Sequence, residues 1–336
     1  MCAAIDARRR HREKSRAGPT FMSGMLWAVQ RWTRSSRRRP DSKLRFLFGI
    51  VVLVAAGGAL LPGWGGPVTL PRLLQASRAY VRDYESKLTF ILAEEDYVQE
   101  IRDSLPLDPS PPSRRTKSEI YFIFAPQTGA WMAIRDVISV DGQPVADRPN
   151  LVAMLGTIPA TQVAATVKAR NSRFNIGRIV RNFNEPTLGL QLLDPDRTPG
   201  LEFTLGSTRV DQGTALATLA FREQGPVTLI HDLALQPAPS TGEILVEAER
   251  GRVRRTQLST RIGSVSLSLT TDYASEPALD MWVPSILREH YEEGVYGNGW
   301  DSRVPGSGHE EIWCEAKYSH FRRFEVTGGI KKESVR

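Results

Sequence analysis

Five histidines, two cysteines and a few paired carboxylates are the residues of this chain that could do chemistry. Two histidines at i,i+4 on a helix would hold a metal ion, but His11, His231, His290, His309 and His320 offer no such spacing. His309-Glu310-Glu311 lacks the second histidine of a metalloprotease helix. His290 and His320 are the pair that neighbouring strands could bring together; surface histidines are the simpler reading. Neither a Gly-x-Ser-x-Gly elbow nor a Walker loop is present. Gly297-Asn298-Gly299 has no helical pattern behind it, so it is a poor cradle for a dinucleotide. Asp194 and Asp196 could hold a cation, but Asp-Pro-Asp before Pro199-Gly200 reads more simply as a turn. Glu94/Glu95 and Glu292/Glu293 read as solvated faces. Cys2 and Cys314 are too few for a disulfide framework or a cysteine zinc site, and Cys314 reads as a small buried hydrophobe. These residues name no catalytic group, metal ligand or cofactor. An enzyme with a dispersed site around His290 or His320 is the third of three functional readings.

The basic residues weigh the same way. Arg114-Arg115, Arg252/Arg254/Arg255 and Arg322-Arg323 could bind anionic headgroups, but alternate residues of a strand more often point into water beside an acidic partner. The net charge of +7 is unevenly placed: residues 1–45 hold 13 basic and 3 acidic residues, leaving 31 basic and 34 acidic for the rest. The exported part is therefore mildly acidic and has no global field for a phosphate backbone, which argues against nucleic-acid binding.

The elements that must position any site begin with a targeting signal. Arg37, Arg38, Arg39, Lys43 and Arg45 precede the apolar run Phe46–Leu61, which has no charge and ends in small residues before Pro62. A positive flank, an apolar core and small residues make a signal sequence or a single membrane anchor. Sixteen residues is long for a signal core and short for a span, and both outcomes export residues 62–336. Residues 1–45 read as a basic, disordered cytoplasmic tail, with Met22 and Met25 as alternative starts. Residues 62–69 are a linker.

Leu73, Tyr80, Tyr84, Leu88 and Ile91 recur at helical spacing and predict a helix over 70–92. Strands follow at 94–102, 115–124 and 131–140, with a proline-rich loop at 105–113 and a turn at 141–144. Residues 150–193 form a helical insert. After Gly200 the chain reads as a β-meander, with strands near 201–205, 214–221, 243–249, 252–261, 264–273, 281–291 and 310–326. In 264–273, Val265, Leu267, Leu269 and Tyr273 face one way and Ser264, Ser266 and Ser268 the other, as in an antiparallel sheet with one dry face. Ile120, Phe122 and Phe124 make the same pattern. Residues 294–308 form a Gly-rich loop long enough to be a movable lip. A tail closes the chain at 327–336.

The stretches RRTKSEIYFIF (114–124), WMAIRDVISVDGQPVADR (131–148), FNIGRIVRNFNEPTLGLQLLDP (174–195), MWVPSILREHY (281–291) and AKYSHFRRFEV (316–326) carry a resemblance. The chain resembles an uncharacterised exported family of acidobacterial type. More distantly it resembles the periplasmic lipoprotein-carrier-like (outer-membrane lipoprotein-sorting) fold, shared with mycobacterial lipid carriers and sigma-factor regulatory sensors. The resemblance implies an α+β domain over 70–326: a strongly curved antiparallel sheet, an unclosed β-barrel, with helices across its concave face and no catalytic residues. There is no lipoprotein cysteine after the apolar run and no carrier motif that matches residue by residue, so no site is transferred. The expected ligand cavity is the dry face itself, Ile120, Phe122, Phe124, Val265, Leu267 and Leu269, holding a lipid or other apolar ligand if the helices at 70–92 and 150–181 leave it partly open. Complete coverage would leave a plain core. The expectation is an exported, non-enzymatic binding protein, periplasmic or anchored to the inner membrane by 46–61. The alternative is a membrane-tethered protein-interaction or sensor domain without a small ligand.

Overall fold

The computed structural model describes residues 67–103, 111–125, 130–179, 181, 185–196, 200–232, 234–294 and 309–323. The basic tail, the apolar run Phe46–Leu61, most of the linker, the loop at 295–308 with Gly297-Asn298-Gly299, and the C-terminal tail lie outside these residues. Among the described residues no helix is long and apolar enough to cross a membrane.

Among the described residues, alternating patterns become one antiparallel sheet of 11 strands. They are β1 (Ile91–Asp103), β2 (Ser113–Ala125), β3 (Ala130–Val140), β4 (Gln143–Pro144), β5 (Leu201–Asp211), β6 (Thr214–Glu223), β7 (Thr241–Glu247), β8 (Val253–Ile262), β9 (Val265–Glu276), β10 (Met281–Glu293) and β11 (Glu310–Arg323). The order is β4-β3-β2-β1-β11-β10-β9-β8-β7-β6-β5. The meander is thus continuous except where β1 and β11 pair, which closes the two ends of the chain into one sheet. The sheet is curved and unclosed, with β4 and β5 at its edges. Strands at 113–140 and 241–323 share it, as the common dry face predicts.

Helix α1 (Leu70–Leu88) covers the concave face. Leu73, Ser77, Val81, Tyr84 and Leu88 repeat at three and four and form its buried stripe. Each apolar member contributes about 1.5–3 kcal/mol of burial. Pro71 sits in the first turn, where a missing N–H costs nothing, and Lys87 sits in the last turn, against the negative end of the helix dipole. The helix stops four residues earlier than the periodicity predicts. Phe90 adopts φ +60°, and Ile91 and Leu92 instead pair with Phe122 and Tyr121 of β2. Long-range pairing overrides a helical repeat that fits both states.

The insert corrects a second expectation. Helices α2 (Leu151–Leu155) and α3 (Ala160–Asn171) do not lie across the concave face. Leu151, Val163, Ala164 and Val167 pack on Leu92, Tyr121, Ile123, Met132 and Ile134, the opposite face of β1–β3. The physical reason is legible in IYFIF and WMAI: β2 and β3 are apolar on both faces, and such strands must be covered on both. Only the later part of the insert reaches the concave side. There Ile179 and the 3-10 helix Leu188–Leu193 join α1 and the inner residues of β1–β3 and β6–β11 in one core.

Candidate functional site

A concavity lies beside the second half of α1. It encloses about 570 Å³ and is lined by Tyr80, Asp83, Tyr84, Lys87, Arg250, Arg252, Ser275, Pro277, Asp280, Met281 and Trp282. Three elements build it. The helical repeat puts Tyr80 and Tyr84 on one stripe, with ring centroids 5.7 Å apart, and Asp83 and Lys87 on the next, paired at 2.9 Å. The β7–β8 turn brings Arg250 and Arg252. The β9–β10 connection, with Asp280 at φ +50°, brings Met281 and Trp282.

Gly251 is the residue that lets these elements meet. It has φ +66°, and a Cβ there would sit 2.2 Å from the backbone carbon of Ala76 in α1. Arg252 and Arg254 lie 5.3 and 3.9 Å from the Trp282 ring centre, and both ion-pair with Glu247. The cleft therefore has an aromatic floor and a charged rim. Two of its groups lack a hydrogen-bond partner among the described residues, the buried phenol oxygens of Tyr80 and Tyr84. Tyr84 is 2% exposed, stacks edge-on against Trp131 at 5.7 Å, and has its phenol pKa pushed well up by burial.

The six residues expected to line an apolar cavity are brought together on one face, but within the core. Ile120, Phe122, Val265, Leu267 and Leu269 are buried in it, and Phe124 packs against it half-buried. Phe122 stacks on Phe321 and meets Tyr318 edge-on.

The interior also holds charges that the sequence reading missed. Glu95, read as solvated, is buried and grips Arg135 through three hydrogen bonds of 2.7–3.0 Å. Glu289 accepts from the Tyr291 hydroxyl, while its other oxygen has no partner among the described residues. Burial pushes its carboxyl pKa up against the Tyr291 hydrogen bond and the charges of Arg181 and Arg135. Arg181 reaches Gln99 and the Ile176 carbonyl. Cys314 lies among them, its thiol pushed up to about 11 by desolvation, as befits a buried residue. A signal existed: Glu95, Gln99 and Glu289 sit at inward positions of otherwise alternating strands.

The remaining candidates resolve into ordinary pairs. His290 meets Glu311 at 2.9 Å and stacks on Trp313, whereas His320 meets Glu94, so the two histidines do not share a site. Arg115 pairs with Asp96, Arg114 with Asp141, Arg255 with Asp272 and Arg322 with Glu119. Asp194 accepts from the Asp196 N–H in a turn. Among the described residues no cluster of His, Cys, Asp and Glu is placed to hold a metal ion.

No protein-family model matches the chain, and no curated protein matches it. Solved structures do. A LolA superfamily protein from Nitrosomonas europaea aligns over 77% of this chain and 94% of its own, with 13% identity and a TM-score of 0.27. An outer membrane lipoprotein-sorting protein domain from Vibrio parahaemolyticus aligns over 75% and 93%, with 8% identity and a TM-score of 0.26. The MucA/MucB complex of Pseudomonas aeruginosa supplies a chain aligned over 76% and 97%, with 11% identity and a TM-score of 0.19.

Proposed function

We propose that the protein is an exported, non-enzymatic binding protein of the cell envelope that takes a lipid or similar amphiphile at the cleft beside α1. The observation that carries this reading is the cleft lined by Tyr80 and Tyr84, whose buried hydroxyls have no hydrogen-bond partner among the described residues. Leaving a buried donor unpaired costs about 1–3 kcal/mol, and a ligand acceptor reaching it would recover that cost. The cleft has a division that suits an amphiphile: Tyr80, Met281 and Trp282 for an apolar part, and for a polar head Arg250 together with Lys87 and Arg252, which are paired with Asp83 and Glu247. An acyl chain would extend past Met281 toward Leu267, Leu269, Val265, Ile120, Phe122 and Phe124 only as α1 shifts from the sheet.

The test is native mass spectrometry of detergent-free protein, followed by titration with a fluorescent fatty acid. Bound lipid and saturable, micromolar binding are expected. Tyr84→Phe should weaken binding about five- to tenfold while leaving thermal stability equal or higher, since it deletes an unsatisfied hydroxyl. Folded protein that carries no lipid and takes up no probe would refute the reading. A second reading, a protein-contact domain, is favoured by β5. Among the described strands β5 has a neighbour on one side only, and Leu205 and Val210 are exposed on it. A partner adding a strand there would protect β5 amides from hydrogen exchange.

A further inference from the structure

Beside the N-terminal half of α1, apart from the residues of the cleft, lies another concavity of about 540 Å³. It is lined by Leu70, Pro71, Leu74, Gln75, Arg78, Arg82 and Pro195. Its chemistry is divided along the helix: Leu70, Pro71 and Leu74 come first, then Arg78 and Arg82 one turn apart, with Arg72 exposed nearby. Most arginines of the described fold have a carboxylate partner, including those at 102, 114, 115, 135, 148, 170, 173, 178, 252, 254, 255, 288 and 322. Among the described residues no carboxylate pairs with Arg72, Arg78 or Arg82, and the buried Arg78 Nε has no hydrogen-bond partner. From Leu70 to Arg82 the helix holds three arginines and no acid.

We infer that this face of α1 rests on an anionic bilayer surface, with Pro71 and the exposed edges of the half-buried Leu70 and Leu74 at the acyl boundary and Arg72, Arg78 and Arg82 on lipid phosphates. Chain length supplies the occupant. Eight residues separate Leu61, the end of the uncharged run, from Leu70. Fully extended they reach about 29 Å at most, so a membrane-held run would hold the start of α1 within that distance of the bilayer. The inference rests on the anchor reading of Phe46–Leu61. Each arginine near an anionic surface is expected to add about fivefold to the partition, and the three together about a hundredfold.

The test uses the full chain with Cys2→Ser, placed in lipid nanodiscs with or without 30% phosphatidylglycerol. An environment-sensitive label goes on Gln75→Cys, with an exposed reference label on Ser259→Cys in β8. In anionic discs the label at 75 should be shielded from aqueous quenchers and quenched by headgroup-proximal spin-labelled lipid, while the label at 259 stays aqueous. Replacing Arg72, Arg78 and Arg82 together by Gln should return position 75 to water with circular dichroism unchanged, and replacing them by Lys should restore the shielding. Protein that stays in the disc with position 75 aqueous in both lipid compositions would overturn the inference and leave the anchor standing. Protein that leaves the disc would overturn both.

Discussion

Buried glutamates do two different jobs in this fold. Glu185, Glu223 and Glu310 spend their oxygens on backbone donors. Glu185 accepts from Ala133 on the free edge of β3, Glu223 from Leu229 and Ser240, and Glu310 from Arg178 and Ile179. Such charge-assisted bonds are worth about 1.5–3 kcal/mol each and tie irregular chain to the sheet. Glu95 instead neutralises Arg135, and both are almost fully buried. Arg135→Met should therefore destabilise the protein by about 3–5 kcal/mol in chemical denaturation, since it strands a buried carboxylate, whereas replacing both residues by apolar ones should cost much less. Glu289 gives a pH dependence. Its folded pKa lies above its unfolded value, so its contribution is present below the usual carboxylate range and is lost as pH rises through the folded value. Glu289→Gln should flatten that decline, measured as unfolding free energy against pH above about 4.5.

At the scale of elements, α1 is held by shape as much as by its apolar stripe. The β7–β8 turn lies against its backbone, and Gly251 has both a left-handed φ and no room for a Cβ. Gly251→Ala should cost about 2–4 kcal/mol, combining αL strain with a backbone clash. Hydrogen-exchange protection should fall in α1 more than in β10 if the turn pushes the helix outward; equal loss in both would contradict that picture. The edges of the sheet are managed differently. Glu185 and Asn171 cap β3 beyond the two-residue β4, while β5 is left with exposed residues on both faces, the arrangement open to strand addition.

For the whole molecule, the paired arginines of the convex face and the unpaired ones of α1 divide the surface by role. Arg255, Asp272, Arg288 and Glu315 form a ladder across β8–β11 that neutralises itself, consistent with a net charge that resides in residues 1–45. Export is the common requirement of the proposed binding role and the surface inference. Alkaline phosphatase fused after Arg336 should be active in a bacterial host, and an inactive, cytoplasmic fusion would remove the envelope setting from both. Replacing Val52 and Val54 by Asp in the apolar run should abolish the activity, since each buried charge opposes transfer into hydrocarbon by about 2.5–3.5 kcal/mol.

The sequence by itself determined the periodicities, and through them the sheet and its dry face. Val265, Leu267 and Leu269 alternate with serines, and alternation leaves one solution for which side is buried. It also determined the amphipathic stripe of α1. What only the tertiary structure decided was what covers each face. Residues 150–171 are apolar enough to pack anywhere, and their place behind β1–β3 follows from strands that are apolar on both sides. The end of α1 depended on the pairing of Ile91 with Phe122, a partner 31 residues away. The buried charges were hidden for the same reason. Glu95 looks like Glu94 in sequence, and only the opposite pointing of adjacent strand residues, with Arg135 arriving from β3, puts one in the core and the other in water. The cleft is decided last, because its walls come from α1, the β7–β8 turn and the β9–β10 connection, which no local pattern links.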